Sequence, residues 1–169
     1  MSARPPGPGQ TPPEPGQTQP DPRRLALIAE ATKRAGLIWI TVPDAAAPDR
    51  TGGAVPAPPR AVWHVWRDAA YVLTGPGEQH VPGLAGAPRV TVLVASKDTG
   101  GLLVCWAARV SRVEPGSAEW SGIIGALLAG RLNEPENPGA PSPAERWAQT
   151  GDVYRLTPEE TAEPGTPGP

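Results

Sequence analysis

The sequence has little of several residue types, and each shortage excludes a class of protein. Cysteine occurs once, at Cys105, so no internal disulfide can form and a reducing, cytoplasmic location is expected. The two histidines, His64 and His80, and that one cysteine lack the spacing of metal ligands, so no metal site is predicted. A net charge of -2 offers no positive field for nucleic acid or an anionic membrane. No apolar run reaches the ~18 residues of a membrane-spanning helix, and the polar N-terminus lacks the apolar segment of a signal peptide.

Proline, in contrast, is abundant, and the 25 prolines are unevenly placed. Most of them fall in four segments, 1–22, 43–59, 133–144 and 158–169. Because proline removes a backbone donor and fixes φ, such clusters are excluded from helix interiors and central strands. We therefore predict disordered tails at 1–20 and 158–169, and a single domain at 21–157 with proline-rich loops at 43–59 and 133–144.

Apolar periodicity within the domain predicts a mainly β protein of the α+β type, with two to three flanking helices. The predicted strands are six, at 37–42, 60–66, 70–74, 89–95, 102–113 and 153–156. One helix is predicted between Asp21, a suitable N-cap, and Gly36. A second begins near Ser117 and has an apolar stripe at helical spacing that also contains Arg131. A short third helix is predicted around 144–148.

The aromatic residues and the cysteine are interpreted mainly as packing residues. Phenylalanine is absent, so the six tryptophans supply most of the aromatic core. Trp63, Trp66 and Trp106 have the alternative of stacking on a ligand ring, but core packing is preferred. The first half of strand 102–113 is apolar on both faces, which predicts burial on both sides. Cys105 is accordingly interpreted as a small buried apolar residue.

Local motifs and the order of elements resemble those of one known family. The motif matches are Arg60 on a strand, Leu73-Thr74 at a strand end, Glu78-Gln79-His80 in a turn, then Leu84, Ala87-Pro88-Arg89 and a long strand ending at 108–113. This arrangement resembles the pyridoxamine 5'-phosphate oxidase-like, FMN-binding split barrels. The resemblance implies a six-stranded split β-barrel and a homodimer that binds FMN, or in some branches deazaflavin or haem, at the subunit interface.

The resemblance also implies a set of cofactor-binding residues. These are Arg60, Val62, Thr74, Gly75, Glu78, Gln79, His80 and Lys97. Arg60 would hold the cofactor phosphate, Thr74 would donate its hydroxyl, and the loop 75–80 would form a wall. Catalysis would then belong to the flavin, in an oxidoreductase of unassigned substrate that needs no side-chain nucleophile.

Most of these residues also have a purely structural interpretation. Arg60 and Thr74 suit the two ends of strands, and residues 78–80 suit a solvated loop. Lys97 is better interpreted as part of an exposed hairpin turn. Glu78 stands where the family usually has a hydroxyl, and a carboxylate repels a phosphate. The alternative function is therefore a split barrel without flavin chemistry that acts as a ligand-binding or dimeric interaction module.

Overall fold

The computed structural model describes residues 21–43, 46–48, 54–131 and 139–159. The predictions of disorder for 1–20 and for the last ten residues therefore lie outside the described residues, as do parts of the two proline-rich loops. Within the described ranges, no helix has both the length and the apolar character needed to cross a membrane.

The predicted α+β split-barrel class is confirmed, and the described residues form seven antiparallel strands in the main sheet and three helices. The helices are α1 (Pro22–Arg34), α2 (Ala118–Gly130) and α3 (Pro143–Thr150). The strands are β1 (Leu37–Thr41), β2 (Ala46–Pro48), β3 (Ala54–Pro56), β4 (Arg60–Trp63), β5 (Val65–Trp66), β6 (Ala70–Thr74), β7 (Arg89–Ala95), β8 (Leu102–Val113) and β9 (Asp152–Glu159). The main sheet has the order β4-β1-β7-β8-β9-β6-β5, and β2 pairs with β3 separately.

The two edge strands of the main sheet are two halves of one chain segment. β4 pairs with β1, and β5 pairs with β6 on the opposite edge. The segment leaves one ladder and joins the other at His64, which belongs to neither strand. The single strand predicted at 60–66 is therefore divided, which raises the strand count of the sheet from six to seven. The sheet is nearly closed into a barrel, and its two edge strands meet at His64.

The barrel wall around β6 is covered on both sides. Val72 faces the inner core together with Ile38, Val92 and Leu156. Leu73 faces a second, outer core, which α2 and α3 cover. All five residues of β6 are consequently buried, which is the burial expected of a strand between two layers.

Several boundaries predicted from the prolines differ from those observed. The loop predicted at 43–59 contains β2 and β3, because short edge strands tolerate proline. α3 begins at Pro143, inside the loop predicted at 133–144, where Ser142 caps the helix and proline suits its first turn. β9 continues to Glu159, two residues into the predicted tail, where its carboxylate binds Arg89 and Arg109 at 2.6 and 2.7 Å.

The prediction that Cys105 is buried is wrong. Cys105 is exposed, and Leu103 on the same face of β8 is 57% exposed. Their alternate neighbours Val104 and Trp106 fill the inner core, so the described residues cover only one face of this half-strand. Uniformly apolar sequence does not distinguish a face covered by the same chain from one that is left open.

His64, at the break between β4 and β5, is largely buried against α1. Its Nε2 donates to the carbonyl oxygen of Thr32 at 2.9 Å, and its Nδ1 is enclosed without a partner among the residues described. Burial lowers the pKa of His64 below 6.5, and the hydrogen bond to Thr32 opposes this only in part. The neutral imidazole is therefore the form that the fold favours.

This burial predicts a stability that falls in mild acid. The unfolded chain takes up the His64 proton at a higher pH than the folded protein does. The stability that neutral His64 contributes is therefore fully present above about pH 6.5 and is lost as the pH falls from there through the folded pKa. The slope of this loss is at most about 1.4 kcal/mol per pH unit. Urea unfolding of His64→Gln between pH 8 and 5 should show a weaker pH dependence. His80→Gln, at an exposed site, is the matched control and should keep the dependence of the parent. Equal slopes for the two variants would contradict this assignment.

Candidate functional site

The loop after β6, residues 75–80, carries most of the predicted site and lies at the split of the barrel. Gln79 lies beside the edge strand β4, whose ladder partner in the main sheet is β1. Its Oε1 accepts from the backbone N–H of Trp63, and its Nε2 donates to the carbonyl oxygen of Trp63, both at 2.8 Å. The amide of Gln79 thus takes the place of a neighbouring strand and satisfies an otherwise open edge.

The side chain of Glu78 contacts the C-terminal end of α2 and one face of α3. Its side chain is only 6% exposed and lies 3.0 Å from Nη2 of Arg131 and 4.0 Å from Nη2 of Arg146. Nε1 of Trp147 donates to the same carboxylate at 2.9 Å. The Arg131 guanidinium also lies over the Trp147 ring, 5.4 Å from its centroid. Glu78 therefore anchors the loop to both helices, and its charge is compensated.

Gly75 allows the loop to approach the end of α3. Its φ is +143°, and a Cβ at this position would lie 2.9 Å from the carbonyl oxygen of Thr150 and 3.0 Å from Cα of Gly151. A side chain is therefore excluded by backbone atoms. The preceding residue, Thr74, is buried, and its Oγ1 makes a long contact of 3.5 Å to the carbonyl oxygen of Asp152. This weak contact leaves the hydroxyl able to donate elsewhere.

Arg60 begins β4 at the rim of the barrel. It lies opposite the inward-facing Ile40 in the ladder, so its Cβ is on the interior side, yet the residue is exposed. Arg60 forms no ion pair with any described residue. Val62, two positions further on the same face, is 1% exposed and belongs to the inner core, so its side chain is not available to a ligand.

Lys97 is separated from the other predicted residues. It lies in the turn between β7 and β8 and lines a cleft of about 380 Å³ with α1, in which none of the other predicted residues takes part. His80, at the end of the loop 75–80, is exposed. The structure therefore brings Thr74, Gly75, Glu78 and Gln79 together with β4, and leaves Lys97 elsewhere.

The partners of Glu78 were not identified from the sequence. Arg131 lies 53 positions after Glu78, and Trp147 lies 69 positions after it. One signal was present: Arg131 interrupts an otherwise apolar helical stripe, and a charge at such a position needs a compensating partner. The spacing along the chain gives no indication of which carboxylate that partner is.

The exposed outer surface of β1, β7 and β8 forms a second notable feature, which we call the apolar outer face. It comprises Leu37, Trp39, Leu93, Leu103 and Cys105. Trp39 lies opposite Leu93, which lies opposite Cys105, so the three side chains form one row across the strands. Trp39 is 41% exposed and Leu37 is 51% exposed. A contiguous apolar surface of this kind is typical of an interface.

Comparisons with known proteins show which proteins share this fold. No protein-family model matches the sequence, and no curated protein matches it significantly. Among solved structures, a conserved hypothetical protein of Mycobacterium tuberculosis is similar, with a TM-score of 0.51 and 17% identity over 80% of each chain. The haem storage protein HutZ of Vibrio cholerae has a TM-score of 0.50 and 17% identity, over 79% of this chain and 89% of HutZ.

A NimC/NimA family protein of Clostridium acetobutylicum is also similar, with a TM-score of 0.50 and 10% identity over 80% of each chain. At these identities the likeness concerns the course of the backbone. Together with the strand order and the division at His64, it shows that this chain has the fold of the pyridoxamine 5'-phosphate oxidase-like split barrels.

Proposed function

We propose that this protein is a cytoplasmic, homodimeric split-barrel flavoprotein that binds FMN or a deazaflavin and acts as an oxidoreductase. The observation that carries the proposal is the position of Glu78. Its carboxylate is held by Arg131 and Trp147 beneath the helices, so it does not oppose a phosphate at the rim of the split. The main chemical objection to a phosphate-bearing cofactor is thereby removed.

The side chains that these contacts leave unengaged have the chemistry that such a cofactor needs. Arg60 is an exposed guanidinium without an ion-pair partner among the described residues, and it would bind the phosphate. Thr74 would donate its hydroxyl, while His80 adds an exposed imidazole. Gln79 and Gly75 would hold the wall in shape rather than touch the ligand. When bound, the flavin would supply hydride or electron transfer, and the protein would orient it and exclude water.

Removal of the Arg60 charge should weaken cofactor binding selectively. In a titration followed by flavin fluorescence, Arg60→Gln should bind FMN about tenfold or more weakly than the parent, because one charge-assisted phosphate contact is lost. Arg23→Gln removes another exposed arginine, on α1, and should bind as the parent does. Equal affinity of Arg60→Gln and Arg23→Gln would remove Arg60 from the proposed site.

The homodimer is proposed to form through the apolar outer face. This surface exposes Trp39, Leu37 and Leu103, and no described element of the same chain covers it. Burial of such a surface against a second copy gives a large hydrophobic gain and places two copies of the sheet face to face. In the family that the sequence resembles, the cofactor is bound at such an interface.

A charge on the apolar outer face should produce monomers. Trp39→Glu is expected to halve the mass measured by light scattering, because the carboxylate would be buried without a partner. In the same variant Cys105 should react with a thiol reagent faster than in the parent, since it lies in the same row of side chains. Asp98→Ala, in an exposed turn, is the control. A parent that is monomeric, with freely reactive Cys105, would contradict the dimer.

The contacts of the loop 75–80 with the rest of the fold support a second possible function, that of a module without flavin chemistry. Both polar groups of Gln79 bind the Trp63 backbone, and the Glu78 carboxylate is engaged beneath the helices. Two of the three side chains in the predicted binding turn are thus occupied by the fold. This favours a non-catalytic dimeric or ligand-binding module, which would keep the dimer of the preceding test but bind no flavin.

A further inference from the structure

A polar cleft of about 520 Å³ lies on the outer surface of β8, β9 and the β5–β6 turn, away from the loop 75–80. Three arginines and three hydroxyl groups line it: Arg67, Arg109, Arg155, Tyr71, Ser111 and Thr157. We call it the arginine cleft. None of these residues belongs to the predicted cofactor site. Tyr71 is buried in the outer core, and its hydroxyl donates to the carboxylate of Glu119 at 2.9 Å.

The strand register brings these side chains together. Arg155 of β9 lies between Tyr71 of β6 and Ser111 of β8. One step along the same face, Thr157 lies opposite Arg109. Arg109 and Arg155 are therefore diagonal neighbours on adjacent strands. The register thus places two guanidinium groups side by side on one outer face, each paired with a carboxylate.

The arginines are oriented by carboxylates but keep free donors. Nη1 of Arg155 donates to Glu119 at 2.9 Å, and Nε of Arg109 donates to Glu159 at 2.7 Å. A guanidinium has five N–H groups, so each of these side chains retains several. Nε of Arg155 is enclosed and has no acceptor within the described part of the chain. Arg67 has no ion pair with any described residue.

Three arginines and one carboxylate, Asp68, line the cleft. Glu119 and Glu159 lie at its border and pair with Arg155 and Arg109. Arg67 is the lining arginine that has no ion pair among the described residues. The carboxylates hold two of the arginines in place, and the free guanidinium edges are left for an anion.

We propose that the arginine cleft binds the phosphate group of a small phosphate monoester. Guanidinium groups approach from the β5–β6 turn, β8 and β9, and the hydroxyls of Ser111 and Thr157 lie between them. A planar carboxylate is satisfied by one bidentate arginine, whereas a tetrahedral dianion accepts hydrogen bonds from several directions. The site is thus a second ligand site, independent of the split.

The test is isothermal titration of the full-length protein with inorganic phosphate and with phenyl phosphate, in chloride at constant ionic strength. Arg67→Gln is the principal variant, because the Arg67 side chain has no hydrogen bond or ion pair with a described residue, while its backbone N–H donates to the carbonyl oxygen of Ala69. We expect its affinity for both ligands to fall at least about tenfold, and that of Ser111→Ala to fall about threefold. Arg23→Gln is the matched control and should bind as the parent does.

Several results would overturn the proposal. One is the absence of phosphate binding by the parent at millimolar concentration, and another is unchanged affinity in both Arg67→Gln and Ser111→Ala. Loss of phosphate binding in Arg60→Gln with retention in Arg67→Gln would place the anion at the split instead. Because the readout is phosphate and not flavin, failure of the proposed flavin chemistry leaves this test unaffected.

Discussion

Replacement of Glu78 by alanine is expected to lower the free energy of unfolding by about 2–4 kcal/mol. The change leaves Arg131, 20% exposed, without this carboxylate and removes the acceptor of Trp147 Nε1. It also releases the loop 75–80 from α2 and α3, so the cost exceeds that of an ordinary surface ion pair. Urea unfolding at pH 7 measures the effect directly.

Two further variants serve as comparisons for Glu78→Ala. Glu78→Gln keeps an acceptor for Trp147 and loses only the charge, so its destabilisation should be intermediate. Glu30→Gln removes the carboxylate of an exposed pair with Arg34 on α1 and should cost less than about 1 kcal/mol. If Glu78→Ala were no more destabilising than Glu30→Gln, Glu78 would not be the anchor of the loop, and its carboxylate would again oppose a bound phosphate.

Replacement of Gly75 by alanine is expected to cost about 2–4 kcal/mol. The added Cβ would meet the carbonyl oxygen of Thr150 at 2.9 Å, and alanine rarely adopts a φ of +143°. The contacting atoms belong to the backbone, so relief requires movement of the loop away from α3. The thermal or urea unfolding transition should shift accordingly.

Gly77 provides the matched control within the same loop. Its φ is +77°, but a Cβ there would have no other atom within 4 Å. Gly77→Ala should therefore cost only the strain of a left-handed residue, about 1 kcal/mol. If Gly75→Ala kept the parent's stability and lost only flavin binding, Gly75 would serve close approach of the ligand rather than packing against α3.

The fold was largely predictable because its elements are marked locally. Asp21 and Ser117 cap α1 and α2 as their residue types predict, and each accepts a hydrogen bond from the first turn. Alternation and β-branched runs marked every strand of the main sheet. The division of the segment 60–66 was not marked, because it depends on Gln79 replacing a strand neighbour sixteen positions away.

The candidate site was harder to predict, because the roles of its residues depend on contacts between positions that are far apart in the sequence. Glu78 fell at the expected turn, yet whether it faces a ligand or the helices is decided by Arg131 and Trp147. Cys105 shows the same limit, since an apolar strand sequence does not reveal which face its own chain leaves open. The family resemblance predicted where the loop lies in the sequence. In the structure, Gly75, Glu78 and Gln79 of this loop support the fold, whereas Arg60, Thr74 and His80 are the predicted residues that could still contact a ligand.

The visible absorption spectrum of the full-length protein tests the central proposal most directly. The protein would be titrated in turn with FMN, deazaflavin and haem, the last because the structurally similar HutZ is a haem storage protein. The proposal predicts that FMN or deazaflavin binds with one flavin per protomer and a shifted flavin band, and that Arg60→Gln weakens this binding. A protein whose addition leaves the flavin spectra unchanged, or that binds haem alone, would contradict the proposed flavoprotein.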